Sequence, residues 1–389
     1  MREFGFRRAC FMQESVAATF GAGYSISCIV DVGAQKTSIC CVEDGMAVEE
    51  SRMNLKYGGA DVTEVFLRMM LHDHFPYEEI NLLRRYDFLV AEELKQKFCT
   101  MNEAEITVLT YEFHLRAAGQ DTRKYTFKTY DETMLAGMGY FRPQIFDHSD
   151  KLKRRRKIID RSYDLYDGSP NDPSSHAQVI ALQYAQQNFP SASTPPPASS
   201  GAPASAVTAT ATATAIATAT PSKQKPFNLL SRLPDVESTP TSSIAGSPGP
   251  EGTPQPGRAS PGPGEKEQGS GQPDAVAEKI AVAEERDRIL PIMPLDAAIT
   301  QSITYGARGD DRKMRDFFGG IMVVGGGAKI PGFSAFLEEK LREMQPGFTK
   351  EILIGPPPRE LDQQLVVWKG GSVLARLSSS GNDSWVYGK

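Results

Sequence analysis

From about residue 190 to residue 275 the chain reads TPPPASSGAPAS, then TATATATAIATAT, then SPGPEGTPQPGRASPGPGE. None of these runs can bury enough apolar surface to offset the entropy lost on ordering, so the sequence predicts disorder there. Folded-looking sequence resumes near residue 278. The segment therefore reads as an insertion in a loop, and any core must be assembled from two stretches far apart in the chain. The 27 Pro and 34 Gly are unevenly spread, so the folded part is shorter than 389 residues.

Before the insertion, residues 28 to 45 read CIVDVGAQKTSICCVEDG. Cys28, Ile29 and Val30 are β-prone, Gly33 allows a tight reversal, and Thr37 to Val42 is β-prone again. The pattern predicts a hairpin with Asp31 at its tip. By itself an Asp-x-Gly is an ordinary surface turn. It can also clasp phosphate and metal, because glycine lets backbone N–H groups approach an anion while the carboxylate holds the accompanying hydrated cation.

NLKYGGADVTEVFLRMML follows, with Asp61 at a predicted N-cap, Glu64 three positions on, and Val62, Val65, Phe66, Met69 and Met70 at helical spacing. A second helix is predicted over residues 87–98, DFLVAEELKQKF. EITVLTYEFHL and KYTFKTY partly alternate and predict antiparallel strands between Ile106 and Tyr130. After the insertion, PLDAAITQSI and DDRKMRDFF predict helices, the second with acidic residues where the helix dipole favours them. Ile321 to Val324 then predicts a buried strand, Gly325 to Gly327 a turn, and Phe333 to Met344 a helix; WKGGSVLARL places a glycine pair between apolar runs.

Composition narrows the function classes. A formal net charge of −5 gives no electrostatic case for coating nucleic acid over the whole surface, so any DNA contact is regional. The five cysteines include no Cys-x-x-Cys pair and read as small core residues of a reducing compartment. His72 and His74 are two apart and do not share a helix face, which argues against a metal site. No run approaches the roughly 18 apolar residues of a membrane span, and MREFGFRRACFMQESV lacks a signal-peptide core, so the expectation is an intracellular, soluble protein with no membrane partner. KLKRRRK, residues 151–157, reads as a solvated linker, a nuclear-import signal or a phosphate-backbone contact.

Gly325 to Gly327 fits neither the Gly-x-Gly-x-x-Gly nor the Gly-x-x-x-x-Gly-Lys-Ser/Thr pattern. In order, however, VDVGAQKTSICCVEDG, YGGADVTEVFLRMM, LKQKFC, VVGGGAKIPG and WKGGSVLARL resemble the actin family of ATP-binding folds. The resemblance implies an α/β, ribonuclease H-like ATPase fold, incomplete and carrying a long disordered insertion. Residues 1–23 would end the first actin-like half, 24–150 hold the second half with its phosphate hairpin, and 151–277 hold the basic run and insertion. Residues 278–355 would complete the second half with the adenosine turn, and 356–389 return into the first. The first phosphate hairpin is expected upstream of residue 1.

The resemblance also implies ATP with Mg as cofactor, held by Asp31, Val32, Gly33, Ala34, Lys95, Gly325, Gly326 and Gly327, with Asp31 on the metal side. Several positions depart from the family. Its later hairpin acid falls on Ala34, followed by Gln35 instead of Gly; the water-orienting Gln falls on Glu14, beside Gln13; and two residues bordering the adenosine fall on Gln96 and Gln364. These departures argue against efficient hydrolysis, and no catalytic residue is assigned. The long insertion and basic run match the family's nuclear, chromatin-remodelling branch. That branch implies a nuclear, essentially non-enzymatic scaffold in an Ino-type remodeller, with actin, other actin-related proteins, and histones or nucleosomal DNA as partners. The alternative is an active ATPase or sugar kinase of the same superfamily.

Overall fold

The computed structural model describes Glu3, Gly5 and residues 8–106, 108–116, 119–149, 151, 174–189, 272–356, 361–377 and 385–387. The low-complexity run and residues 152–157 of the basic run lie outside the described residues.

The opening elements are β1 (Arg8–Cys10), α1 (Glu14–Ala22), β2 (Ile26–Val32), β3 (Thr37–Glu43), β4 (Met46–Ala47) and β5 (Met53–Leu55). Helices α2 (Gly59–His72) and α3 (Arg85–Phe98), the ribbon β6 (Leu109–Leu115) and β7 (Arg123–Thr129), and the short α4 (Glu132–Leu135) follow. Then come α5 (His176–Asn188), α6 (Gln272–Asp287), α7 (Leu295–Ala307) and α8 (Asp311–Gly319). The chain closes with β8 (Ile321–Val324), α9 (Phe333–Met344), β9 (Ile354–Gly355), α10 (Val366–Leu377) and β10 (Trp385–Tyr387).

The predicted hairpin is the middle of a six-stranded sheet ordered β4-β3-β2-β8-β9, with β5 also paired to β3. β2 and β3 are antiparallel, with Cys28 opposite Cys41 and Asp31 opposite Ser38. β8 lies parallel to β2, with Asp31 in register with Val324. Strand β8 is buried at every residue, the signature of a strand covered on both faces. Two stretches on either side of the insertion thus form one sheet.

Three local expectations change. Asp31 is not at the hairpin tip: it sits inside β2, and the turn proper is residues 33–36, closed by the Gly33 N–H donating to the Lys36 carbonyl at 2.9 Å. Asp61 is not the N-cap of α2: the helix starts two residues earlier, and the Asp61 carboxylate reaches back to accept from the Gly58 N–H at 2.8 Å. Helix α5 lies inside the stretch assigned to the insertion, yet Ala177, Ala181, Leu182 and Ala185 are buried, and Leu182 and Ala185 pack with Ile289, Leu290 and Ile292.

The remaining elements follow their sequence patterns. Val62, Val65, Phe66 and Met70 form the buried stripe of α2; Ala91, Leu94 and Phe98 do the same for α3. The β6–β7 ribbon is held by aromatic pairs, with Phe127 edge-on to Phe75 at 5.3 Å and Phe113 stacked on Phe75 at 5.4 Å. The glycine pair of WKGGSVLARL lies within α10, and its purpose is packing: a Cβ at Gly370 would sit 1.6 Å from the Ala17 carbonyl oxygen of α1. No described helix is long and apolar enough to cross a membrane.

Candidate functional site

The site grows from the parallel pairing of β2 and β8, which sets their C-terminal ends side by side, the usual ligand edge of an α/β sheet. At that edge β2 delivers Asp31 and β8 runs into Gly325. Gly325 has a φ of +91°, and a Cβ there would lie 2.4 Å from the Val32 carbonyl oxygen and 2.5 Å from Asp31 Oδ1. Glycine is required both for the backbone sign and for the approach.

The hairpin turn docks on the start of α2. The Gly59 N–H donates to the Gly33 carbonyl at 2.9 Å and the Ala60 N–H to the Ala34 carbonyl at 2.7 Å, so the turn itself satisfies orphan donors of that helix. Lys95 arrives from α3 and donates from Nζ to the Gly59 carbonyl at 2.9 Å. Burial lowers its pKa, with Glu92 opposing. Gly327 comes within 3.1 Å of a Cβ built on Gly59, and the Tyr140 hydroxyl donates to the Gly327 carbonyl at 3.0 Å.

Asp31, Val32, Gly33, Ala34, Lys95, Gly325 and Gly327 are joined by these contacts, but the residues singled out by sequence do different jobs. Val32 is fully buried in the core and offers a ligand only its backbone. Gly327 is buried and fixes the bend; Gly326 is exposed, beside the Gln364 side chain. Ala34 and Gln35 are exposed on the turn, as is Gln96 on α3.

A cavity of about 240 Å³ opens beside Asp31, lined also by Gln13, Glu14, Ser38, Arg52 and Asn54. Glu14 accepts from Lys36 Nζ at 2.6 Å and from the Ser38 hydroxyl. Burial pushes its pKa up, but these two donors prevail and hold it below the usual carboxylate range. Asp31 differs: burial, with the negative charge of Glu14 adding, raises its pKa to about 6 against the opposing pull of Lys36. None of the described residues gives its carboxylate a hydrogen bond or ion pair. A half-buried carboxylate with free lone pairs beside a polar cavity fits the cation and phosphate end of a nucleotide. Among the described residues no cluster of three or more His, Cys, Asp or Glu forms a self-sufficient metal site, so a cation here would draw ligands from water and phosphate.

The Actin family model matches residues 1–187. A structure of human actin-related protein Arp8, described as being in its ATP-bound state, superposes with a TM-score of 0.59 at 24% identity, covering 100% of this chain and 52% of that one. The chain has the actin fold. Probable actin-related protein 8 of Schizosaccharomyces pombe is 35% identical over 374 residues, 96% of this actin-fold chain and 48% of that protein. Actin-related protein 8 of Bos taurus is 30% identical over 392 residues, 100% of this chain and 56% of that protein. The chain spans about half the length of the curated relatives it matches.

Sequence reasoning missed two participants. Ser38 carries no motif signal, and its link to Glu14 depends on the strand register. Arg52, which follows a short helical turn, gives no hint in sequence that it lines the Asp31 cavity.

Proposed function

We propose that this actin-fold chain is a nuclear scaffold subunit of an Ino-type chromatin-remodelling complex that holds ATP with Mg as a structural ligand and turns it over little. The observation that carries the nucleotide part is the unpartnered Asp31 carboxylate held against the Gly325 bend. Asp31 would face the cation, the Gly33–Ala34 backbone the phosphates, and Lys95 with Gly325, Gly326 and Gly327 the adenosine side. When bound, the nucleotide and its cation would supply the charge that the Asp31 carboxylate and the Gly33–Ala34 backbone are placed to meet.

Weak turnover is supported by Glu14, which stands where a water would be oriented but is held by Lys36 and Ser38, and by Ala34, which brings no second carboxylate. Human Arp8, described as ATP-bound, and the actin-related protein 8 relatives support both the ligand and the family branch. Partners of this scaffold would be actin, other actin-related proteins and remodeller subunits, with histones or nucleosomal DNA as the engaged surface. Lys151 is the one described member of the basic run. It pairs with Asp61 at 2.5 Å, so the run is anchored to the start of α2 at its first residue.

The test has two arms. ATP binding to the chain, followed by a fluorescent analogue, should require Mg and weaken in Asp31→Asn, with single-turnover cleavage no faster in wild type than in the variant. Capture from nuclear extract should recover remodeller subunits. Cleavage strongly dependent on Asp31 would favour the ATPase alternative, and recovery of cytoskeletal regulators alone would overturn the scaffold role.

A further inference from the structure

A hollow of about 800 Å³ lies between α2 and α4 and shares no lining residue with the Asp31 cavity. Val65 and Met69 of α2, Leu135 of α4 and Ile145 give it apolar walls. Leu135, Ile145 and Tyr130 are exposed together, and neighbouring apolar side chains rimmed by charge mark interaction sites. Asp73, His74, Tyr130 and Glu132 also line a second hollow of about 250 Å³ that reaches Thr126 and Lys128 of β7, so the two run together as one groove. Its size reaches the upper end of the ~300–1,000 Å³ of small-molecule pockets, and the exposed apolar rim favours a longer ligand that covers it.

The charge of the larger hollow is unbalanced. Arg68, its one permanent cation, is engaged by Glu64 at 2.6 Å and by Asp147 at 2.7 Å, neither of them in the lining. His72 pairs with Asp73 at 3.2 Å. That leaves Asp131 and Glu132, which form no ion pair with any described cation, Lys128 of the adjoining hollow included. Asp131 is exposed, and its carboxylate caps nothing at the start of α4. Glu132 is only 3% exposed, and its described partners are backbone N–H groups, that of Tyr130 at 2.8 Å and its own. Burial raises its pKa against those hydrogen bonds, with the charges of Asp73 and Asp131 adding. Buried carboxylates are ordinarily matched by a cation, and no described residue supplies one here.

We infer that this groove docks an extended, lysine-rich segment of a partner protein, with an aliphatic side chain against Val65, Leu135 and Ile145 and a neighbouring ammonium at Asp131 and Glu132. Lysine suits both parts of the lining, because its methylene stem lies along apolar wall while its head reaches the carboxylates. The exposed ring of Tyr130 adds a face over which a second cation can sit. An acidic or purely apolar segment would leave the two carboxylates unmatched, so the charge selects the partner as well as holding it. The inference rests on the groove alone and does not depend on ATP binding at the Asp31 edge.

Titration of the full chain with a labelled peptide alternating lysine and leucine, beside twins carrying glutamate for lysine or serine for leucine, tests this. Saturable binding of the first peptide alone is expected, weakened at least tenfold in Asp131→Asn with Glu132→Gln and at least tenfold in Leu135→Ser. Asp311→Asn, which removes an acid of α8 outside the groove, should leave it unchanged. Circular dichroism checks that each variant folds; should the change at the buried Glu132 prevent folding, Asp131→Asn with Leu135→Ser carries the test. Absence of saturable binding, binding unchanged in the folded groove variants, or an equal loss in Asp311→Asn overturns the assignment. Two further results would also overturn it by naming another occupant. Displacement by spermidine at the peptide's own concentration would name a free amine, and peptide binding at least tenfold tighter with Lys153, Arg154, Arg155 and Arg156 replaced by serine would name the chain's own basic run.

Discussion

Asp31 and Gly325 touch across the seam between β2 and β8: Asp31 Oδ1 lies 2.5 Å from where a Cβ on residue 325 would be. Replacing Gly325 by Ala forces a left-handed backbone on an L-residue and pushes its methyl into both the Asp31 carboxylate and the Val32 carbonyl. Gly325→Ala should lose about 1–3 kcal/mol from backbone strain alone. Thermal denaturation with and without ATP measures it, and nucleotide binding should fall more than stability does, because the displaced group is the proposed cation ligand.

The Asp31 carboxylate gives the chain a pH signature. Its folded pKa, about 6, exceeds the ordinary carboxylate value of 3.8, so between those values the folded state binds more protons than the unfolded one. Stability therefore falls as pH rises through this window, and the penalty is complete above pH 6. Asp31→Asn should raise the melting temperature at pH 7.5 and change it little near pH 4. Magnesium with ATP should stabilise wild type most at the higher pH and the variant hardly at all; a variant with no gain at pH 7.5 would refute the burial cost.

Adjacent glycines of α10 should respond in opposite directions. A Cβ at Gly370 would meet the Ala17 carbonyl oxygen at 1.6 Å, whereas one at Gly371 meets nothing within 4 Å. Gly370→Ala must spread α1 from α10, at a cost of about 1–3 kcal/mol or more for overpacking. Gly371→Ala should instead gain about 0.5–1 kcal/mol, because alanine loses less backbone entropy in a helix. Denaturant midpoints of the two variants, compared with wild type, check the pair.

These contrasts mark what sequence could and could not convey. Hydrophobic spacing is local information, so α2, α3, α9 and β8 were readable from Val62–Met70, Ala91–Phe98, Phe333–Leu341 and Ile321–Val324. The meeting of Asp31 with Gly325 spans the whole insertion, and only the family resemblance brought the two together. Helix α5 was hidden because its polar HAQVIALQYAQQN gives a weak amphipathic signal within a stretch dominated by low complexity. The different fates of Gly370 and Gly371 depend on which face of α10 meets α1, a tertiary fact that a Gly-Gly pair does not encode. Arg52 was illegible for the same reason, since the cavity it shares with Asp31 is assembled from the start of α1, from β2 and β3 and from the segment around β5, which only the folded sheet brings together.

Tyr140 provides a test of whether the glycine bend needs outside support. Its ring is fully buried, edge-on to Phe333 at 5.4 Å, and its hydroxyl donates to the Gly327 carbonyl at 3.0 Å. Burial pushes the phenol's pKa far upward, so the hydroxyl remains a donor at any pH where the chain is folded. Tyr140→Phe keeps the packing and removes only that donor, leaving a buried carbonyl unmatched at a cost of about 1–3 kcal/mol. Because the bend carries Gly326 toward the proposed adenosine side, the same variant should bind ATP more weakly while retaining Mg dependence. Denaturant unfolding and nucleotide titration of the one variant measure both effects. A loss of stability with unaltered nucleotide affinity would show that Gly327 serves the core and not the ligand edge.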